Sequence, residues 1–438
     1  MAYTGLALEQ APPLQVPLRF FLTAPLFGVI AVLAAAATGA LDHRWTSSLL
    51  AVTHLFTLGC LAMVMMGAMM QMLPVVAGTP VVQPLRVSAT LHALLTGGVI
   101  LLAAGLAGVH SVLPLGLGLL AGAIALFLIA AGWSLIRAPG APDTVQAMRL
   151  ALISLALTAG LGLWLGAGHA YPTLGLRRDL TDLHLIWGGV GWIGLLVVGV
   201  AYQVVPMFQM TLPYPQFLRR ALAPLLFLGL AMASIPYLAA GPAAQWLGVM
   251  GIALLWAGLA TFAVTTLVLQ ARRRRRVSDA TLWHWRIAMG MLLATLVLWA
   301  AGQAWPALHY HRVWSLLLGV LYLQGFTLGV MTGMLYKILP FLVWFHLQAR
   351  LLAQGAGPTQ VRVPHMREVI PDRQARRQLL IHVVALVLTV GAVLWPNPQS
   401  WVVSLSLCSL AFSCLWLSRD LWGAARRYRE ILRRMDEA

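Results

Sequence analysis

Apolar runs of about twenty residues recur along the whole chain and are separated by short polar stretches. A helix of that length crosses the ~30 Å hydrocarbon core of a bilayer. The first run follows a polar N-terminus without an early basic segment, and we interpret it as a retained span rather than a cleaved signal peptide. We expect an all-α integral membrane protein, a single polytopic domain over residues 1–438. The runs predict about twelve transmembrane helices, near 17–40, 49–76, 88–109, 112–136, 146–169, 182–210, 219–240, 243–271, 283–305, 312–347, 378–396 and 399–422.

Composition and charge agree with a membrane protein and add an orientation. Only 9% of the residues are charged, against roughly 25% in soluble domains. The formal net charge of +17 is concentrated in alternate connections, which is the positive-inside pattern. We therefore expect both termini in the cytoplasm of a bacterial inner membrane, a cytoplasmic loop at about 349–377, and contact with anionic membrane lipid rather than nucleic acid. The basic positions are Arg86, Arg137, Arg219, Arg220, Arg272–Arg276, Arg362–Arg377 and Arg426–Arg434.

An internal repeat links predicted helices 2, 6 and 10, at about 49–76, 182–210 and 312–347. Each contains a glycine, a long polar residue four positions later, and a proline three positions after that. These offsets place all three on one helical face. The glycine is expected to admit a neighbouring helix, and the proline to kink its own helix. Three copies, four helices apart, predict a pseudo-threefold bundle of three four-helix arcs. The repeated residues are Gly67, Gln71 and Pro74; Gly199, Gln203 and Pro206; and Gly333, Lys337 and Pro340.

The polar residues of the repeat are expected to satisfy backbone carbonyls that proline leaves without a partner. Lys337 replaces the glutamine of the other two copies and is the only lysine of the chain. We expect its side chain to extend to the inner membrane interface.

Histidines stand near the predicted outer ends of these three helices. His54 begins helix 2, His184 begins helix 6, and His309 and His311 precede helix 10. Neutral imidazole is a common axial ligand of haem iron, and histidines on facing helices hold cofactors in helical bundles. His54 and His184 lie at similar distances from their repeat prolines, so we expect them at similar membrane depth.

The surroundings of these histidines fit two interpretations, cofactor ligation and an interfacial role. Gly188 and Gly191 follow His184 on its own helical face and are expected to leave an open slot for a flat macrocycle. His309 and His311 lie about nine residues too far from their proline for the same depth, where Leu318 and Val320 stand instead. A half-solvated interfacial histidine is the alternative for each site. We interpret other histidines toward the inner side as solvated: His284, His346, His365 and His382.

The segment from His54 through Gly67 to Pro74, together with the His309-Tyr-His311 sequence, resembles subunit I of the haem-copper oxidase and nitric oxide reductase superfamily. The resemblance in organisation covers nearly the whole chain, but its motifs lie only on helices 2, 6 and 10. It implies twelve helices in three arcs, with His54 as a ligand of haem b.

The chain departs from that family where the family reduces its substrate. The second metal, copper or iron, needs a histidine within helix 6 and a histidine pair on helix 7. Here helix 6 has glycine at that place, and helix 7 contains no histidine. Oxygen or nitric oxide reduction at a binuclear centre is therefore not expected.

Two main functional hypotheses follow, beside a third in which the protein is a haemless structural partner of a respiratory complex. In the first, the protein binds haem b and serves electron transfer, gas sensing or protection against nitric oxide, with a cytochrome, a quinol or another respiratory subunit as partner. In the second, it is a copper or small-molecule transporter or a metal-insertion factor, whose histidines and methionines bind copper in a central cavity. The methionines of helix 2 also fit simple gap-filling in an apolar core. A reduced-minus-oxidised spectrum would separate the two hypotheses.

Overall fold

A computed structural model describes residues 8–39, 43–139, 143–274, 277–354, 361–395, 397 and 400–437. Most of this part of the chain is helical, and it contains no strand. Within it, twelve helices are long and apolar enough to cross a membrane, which confirms a multi-pass membrane protein. We number them α1 Gln15–Thr38, α2 Ser47–Ala77, α3 Pro84–Leu106, α4 His110–Ile136, α5 Asp143–Ala170, α6 Arg178–Gln209, α7 Gln216–Tyr237, α8 Pro242–Ala271, α9 Ala280–Ala304, α10 Arg312–Ala353, α11 Asp372–Leu394 and α12 Trp401–Glu437.

Local sequence signals set several helix ends. Thr46 and Asp279 precede α2 and α9, and their side chains accept hydrogen bonds from backbone N–H groups in the first turn. These N-caps satisfy donors that would otherwise have no partner. Gly39 closes α1 with a φ of 63°, a left-handed conformation that favours glycine.

The residue contacts divide the chain into two compact units. The first unit comprises Met1–Pro12, Ala68–Arg276 and Leu292–Val297, and the second comprises Pro13–Gly67, Val277–Met291 and Leu298–Ala438. In the first unit α3 packs on α4, α7 on α8, and α5 on both α4 and α6. In the second, α12 packs on α1, α10 and α11.

The polar segment before α11 differs from a simple loop. It contains the short helix Met366–Val369, which His365 caps with its side chain. The backbone N–H of His365 donates to the Glu368 carboxylate at 2.8 Å, and this bond lowers the pKa of Glu368. Residues 355–360 of the predicted loop lie outside the described residues.

Each of the three repeat-bearing helices contains a π-helical segment. The segments are Leu55–Ala62 in α2, Trp187–Gly194 in α6 and Val320–Leu328 in α10. Each ends five residues before the repeat glycine of its helix. The π-helical geometry is rare and is found frequently at functional sites. Its return at one place in three helices shows that the repeat is structural as well as sequential.

The repeat glycines admit the preceding helix, as predicted. A Cβ atom built on Gly67 would lie 2.7 Å from the Phe20 Cβ, and on Gly199 it would lie 2.5 Å from the Ala147 Cβ. Since real Cβ atoms do not approach so closely, only glycine fits these positions without a shift. The third copy repeats the contact, with 2.7 Å from Gly333 to the His284 Cβ.

A second glycine, eight residues before the first, extends the repeat. It is Gly59 in α2, Gly191 in α6 and Gly325 in α10, and it lies within the π-helical segment of each helix. These three glycines also face the preceding helix, at Phe27, Ser154 and Met291 respectively. The contact positions on α1, α5 and α9 are spaced seven residues apart in every copy. Three equivalent helix pairs therefore underlie the fold: α1–α2, α5–α6 and α9–α10.

Candidate functional site

His54 is a half-buried side chain one residue before the π-helical segment of α2. Its Nδ1 lies 2.7 Å from the carbonyl oxygen of Leu50 in the same helix. Because a carbonyl only accepts hydrogen bonds, this contact places the proton on Nδ1 and leaves the lone pair of the neutral ring on Nε2. A backbone carbonyl bound in this way is the usual outer partner of a metal-ligating histidine.

His184 lies on α6, three residues before the π-helical segment and two residues further from its repeat glycine, Gly199, than His54 lies from Gly67. Its Nδ1 lies 3.0 Å from the carbonyl oxygen of Thr158 in α5, which fixes the same tautomer. Gly162, also in α5, makes room for the ring, since a Cβ atom there would lie 2.9 Å from the His184 Cε1. Two helices therefore orient this imidazole.

The space beside Gly188 and Gly191 is not the open slot that we expected. A Cβ atom on Gly188 would lie 3.2 Å from the Thr158 Cγ2, and on Gly191 it would lie 2.7 Å from the Ser154 Cβ. Helix α5 therefore occupies this face. The reason is the helix contact described above, in which glycine serves close packing rather than cofactor access.

His309 and His311 lie before α10 begins, outside its transmembrane part. His309 ends the short helix Pro306–His309, and its ring packs on Trp314 at 4.4 Å between centroids. His311 is exposed, and its Nδ1 accepts from the Val313 N–H at 3.3 Å. Leu318 and Val320 occupy the places on α10 that correspond to the two ligand candidates. The third repeat therefore brings no histidine to this level.

The two glutamines of the repeat have different surroundings. Gln71 is buried, and its Oε1 has no hydrogen-bond partner. Gln203 lines a polar cavity of about 350 Å³ with Asp143, Arg219 and Arg220. The sequence predicted that these side chains would bond the backbone carbonyl that the repeat proline leaves without a partner. The contacts described for Gln71 and Gln203 do not include such a bond.

Lys337 forms an ion pair rather than extending alone to the interface. Its Nζ lies 2.9 Å from the Asp279 Oδ2, and about a fifth of each side chain is exposed. Asp279 also caps α9, so one carboxylate holds the start of α9 against α10. The sequence gives Asp279 only as an isolated acidic residue, which is why this partner was missed.

The methionines of α2 pack in the core around much of the helix. Met63, Met66 and Met69 are no more than 1% exposed. This distribution fits gap-filling better than a one-sided copper path. Cys60 and Cys414 are buried together, and both lie within 4 Å of a Cβ atom built on Gly28.

The prediction that His284 and His382 are solvated is wrong. Each is 1% exposed, and their ring centroids lie 5.5 Å apart at an interplanar angle of 51°. His284 lies one turn into α9 and His382 lies within the apolar part of α11. The sequence holds one partial signal, because His382 follows the apolar residues Leu379-Leu380-Ile381. The contact of His284 with Gly333 is visible only in the structure.

Potential metal ligands do not gather in threes in the described part of the chain. Among these residues, no three His, Cys, Asp or Glu side chains come together closely enough to hold a metal ion. The chain matches no protein-family model and no curated protein sequence.

Proposed function

We propose that the protein is a haem-binding membrane protein, in which His54 and His184 would each serve as a ligand of haem b. One observation carries this proposal: the Nδ1 of each imidazole lies within hydrogen-bond distance of a backbone carbonyl oxygen, which is a common outer contact of a metal-ligating histidine.

The position of the two side chains supports the same function. Both lie just before a π-helical segment, where the helix is wider and its backbone bonds are rearranged. Both are half-buried near a helix end, which allows a large cofactor to have one edge in the interface. His309 and His311 are weaker ligand candidates because one stacks on Trp314 and the other caps α10.

The proposed roles follow from the chemistry of haem and from the residues that would hold it. Haem would supply one-electron chemistry when bound, and His54 and His184 would tune it through the hydrogen bonds of their rings. We propose electron transfer, with a cytochrome or quinol as donor, as the main role; gas sensing and protection against nitric oxide are the alternatives.

The orientation and the arrangement of the helices belong to the same proposal. The basic connections support cytoplasmic termini, which would put His54 and His184 toward the outer face of a bacterial inner membrane. The three equivalent helix pairs support a pseudo-threefold bundle with α2, α6 and α10 as its repeated inner helices.

Reduced-minus-oxidised spectra of the purified protein test this function. The expected result is a sharp α band and Soret band in the wild type, lost in His54→Ala. His346→Ala is the matched control, because His346 also bonds the carbonyl four residues back, Leu342, through Nδ1 at 2.8 Å but lies outside the proposed site. A colourless protein from haem-replete cells that still takes up Cu(I) would overturn the proposal and favour a metal carrier.

A further inference from the structure

The strongest unexplained feature is a buried polar cluster between α9, α10 and α11. His284 and His382 contribute four ring nitrogens, none of which makes a hydrogen bond of good geometry. Gln378, one turn before His382 in α11, lies close enough to His284 for a weak side-chain hydrogen bond. Its Nε2 donates to Ser413 at 3.2 Å, while its Oε1 makes no bond of good geometry. Three side chains, each 1% exposed, thus leave five polar atoms without a well-formed hydrogen bond.

Such a cluster is unfavourable unless something binds to it. A buried donor or acceptor without a partner destabilises the fold, because its hydrogen bonds to water are lost and not replaced. Packing does not require a histidine here, because the equivalent contact positions hold Phe20 on α1 and Ala147 on α5. The third repeat therefore has a polar residue, His284, at a buried position where the other two repeats have apolar residues. Departures of this kind inside a membrane mark functional sites by default.

Glycines of α10 shape the space around the two rings. Gly333 faces the His284 Cβ, and a Cβ atom on Gly329 would lie 3.7 Å from the His382 Nε2 and 3.3 Å from the Ala288 Cβ. Helices α9 and α10 are thus in direct contact beside the rings. The 5.5 Å between the ring centroids leaves no room for a macrocycle between the imidazoles.

We propose that His284 and His382 form a binding site for a single Cu(I) ion. Two imidazoles that share an ion at metal–nitrogen bonds of ~2 Å would have ring centres at most about 6 Å apart, and these lie 5.5 Å apart. The Gln378 Oε1 is the candidate third ligand, because Gln378 lies close to His284.

The donor set favours Cu(I) over a divalent ion. Imidazole suits copper and zinc alike, but structural zinc takes four ligands and is doubly charged. The nearest carboxylates along α9 and α12 are engaged elsewhere, since Asp279 pairs with Lys337 and Asp420 accepts from Tyr336 at 2.8 Å. A singly charged ion that accepts two nitrogen ligands is the least costly cation to bury here.

Competition for Cu(I) tests the site on the intact protein. The detergent-purified chain is titrated, under anaerobic reducing conditions, against a chromophoric Cu(I) chelator. We expect one competing site per chain. We expect His284→Ala, which installs the residue of the α5 repeat, and His382→Ala each to weaken it by more than about 100-fold, since losing even a supporting residue of a metal site costs about 10–100-fold. His346→Ala, the control, should bind as the wild type does.

Two further measurements protect the test from misfolding and from thiol binding. Cu(I) should raise the unfolding temperature of the wild type but not of His284→Ala. X-ray absorption should show nitrogen ligands at ~2.0 Å rather than sulfur at ~2.3 Å, and Cys60→Ala with Cys414→Ala should leave binding unchanged. Affinity that is equal in the wild type and the His284→Ala/His382→Ala double variant, or a sulfur-dominated spectrum, would overturn the proposal. The haem bands of the same variants are a separate readout, so this site and the haem proposal fail independently.

Discussion

Single side chains in this protein are explained by the contacts they make rather than by their residue type. Gly188 and Gly191 were expected to open a slot, but they bring α5 against α6. Lys337 was expected to reach the interface, but it pairs with Asp279. The sequence identified these residues as special because of their spacing. It could not give their partners, which come from distant helices.

The glycine contacts give the first prediction. Replacing Gly199 by Ala puts a methyl group against Ala147 and should destabilise the protein by about 1–3 kcal/mol, as overpacking does. Gly132→Ala is the control, because nothing lies within 4 Å of a Cβ atom at that helical position, and it should be neutral or slightly stabilising. Thermal unfolding in detergent measures both. Equal unfolding temperatures for the two variants would contradict the close contact.

The ion pair of Lys337 and Asp279 gives the second prediction. Lys337→Gln restores the residue of the other two repeats, and Asp279→Asn keeps a good N-cap for α9. We expect the double variant to be less destabilised than the sum of the single variants, with a coupling free energy of about 1 kcal/mol. Reversible unfolding in mixed detergent measures the cycle. Additive effects would show that the two charges do not stabilise each other.

Helices of this chain were predictable as elements, but their internal geometry was not. Length and hydropathy gave the spans of α1–α12 within a few residues at most ends, although α12 continues to Glu437. The hydrophobic pattern does not distinguish the π-helical segments from the α-helix on either side. Their signal is the second glycine, Gly59, Gly191 or Gly325, eight residues before the first, which becomes visible only when the three repeats are aligned.

A deletion tests whether the π-helical segment of α2 sets the direction of His54. Removing Phe56 from Leu55–Ala62 should convert the segment toward an α-helix and rotate His54 by about 100° relative to Gly67, one residue of helical rotation. The expected result is a folded protein without haem bands. Unchanged bands, in a variant that keeps the wild-type elution volume and unfolding temperature, would show that the segment does not position the histidine.

At the scale of the whole molecule, a repeated helix pair carries different side chains in each copy. The α1–α2 and α5–α6 pairs bring His54 and His184, and the α9–α10 pair brings His284 at a different level. Sequence reasoning predicted the repeat and the first two histidines. It placed His284 and His382 in solvent because burial of a histidine depends on what packs against it, which one helix alone does not show.

The orientation of the chain in the membrane can be tested by cysteine labelling. Single cysteines at position 43, before α2, and position 278, before α9, are introduced into a variant without Cys60, Cys408 and Cys414. In intact cells, a membrane-impermeant maleimide should label position 43 but not position 278. After the membrane is permeabilised, it should label both positions. The opposite labelling would reverse the orientation and put the proposed haem histidines on the cytoplasmic side.

Haem ligation by His54 and His184 is the central claim, and imidazole rescue tests it most directly. The account predicts that His54→Ala and His184→Ala each lose the low-spin reduced-minus-oxidised bands, and that added imidazole restores them by filling the empty ligand position. His346→Ala should need no rescue. Haem bands that survive in the His54→Ala/His184→Ala double variant without imidazole would contradict the claim.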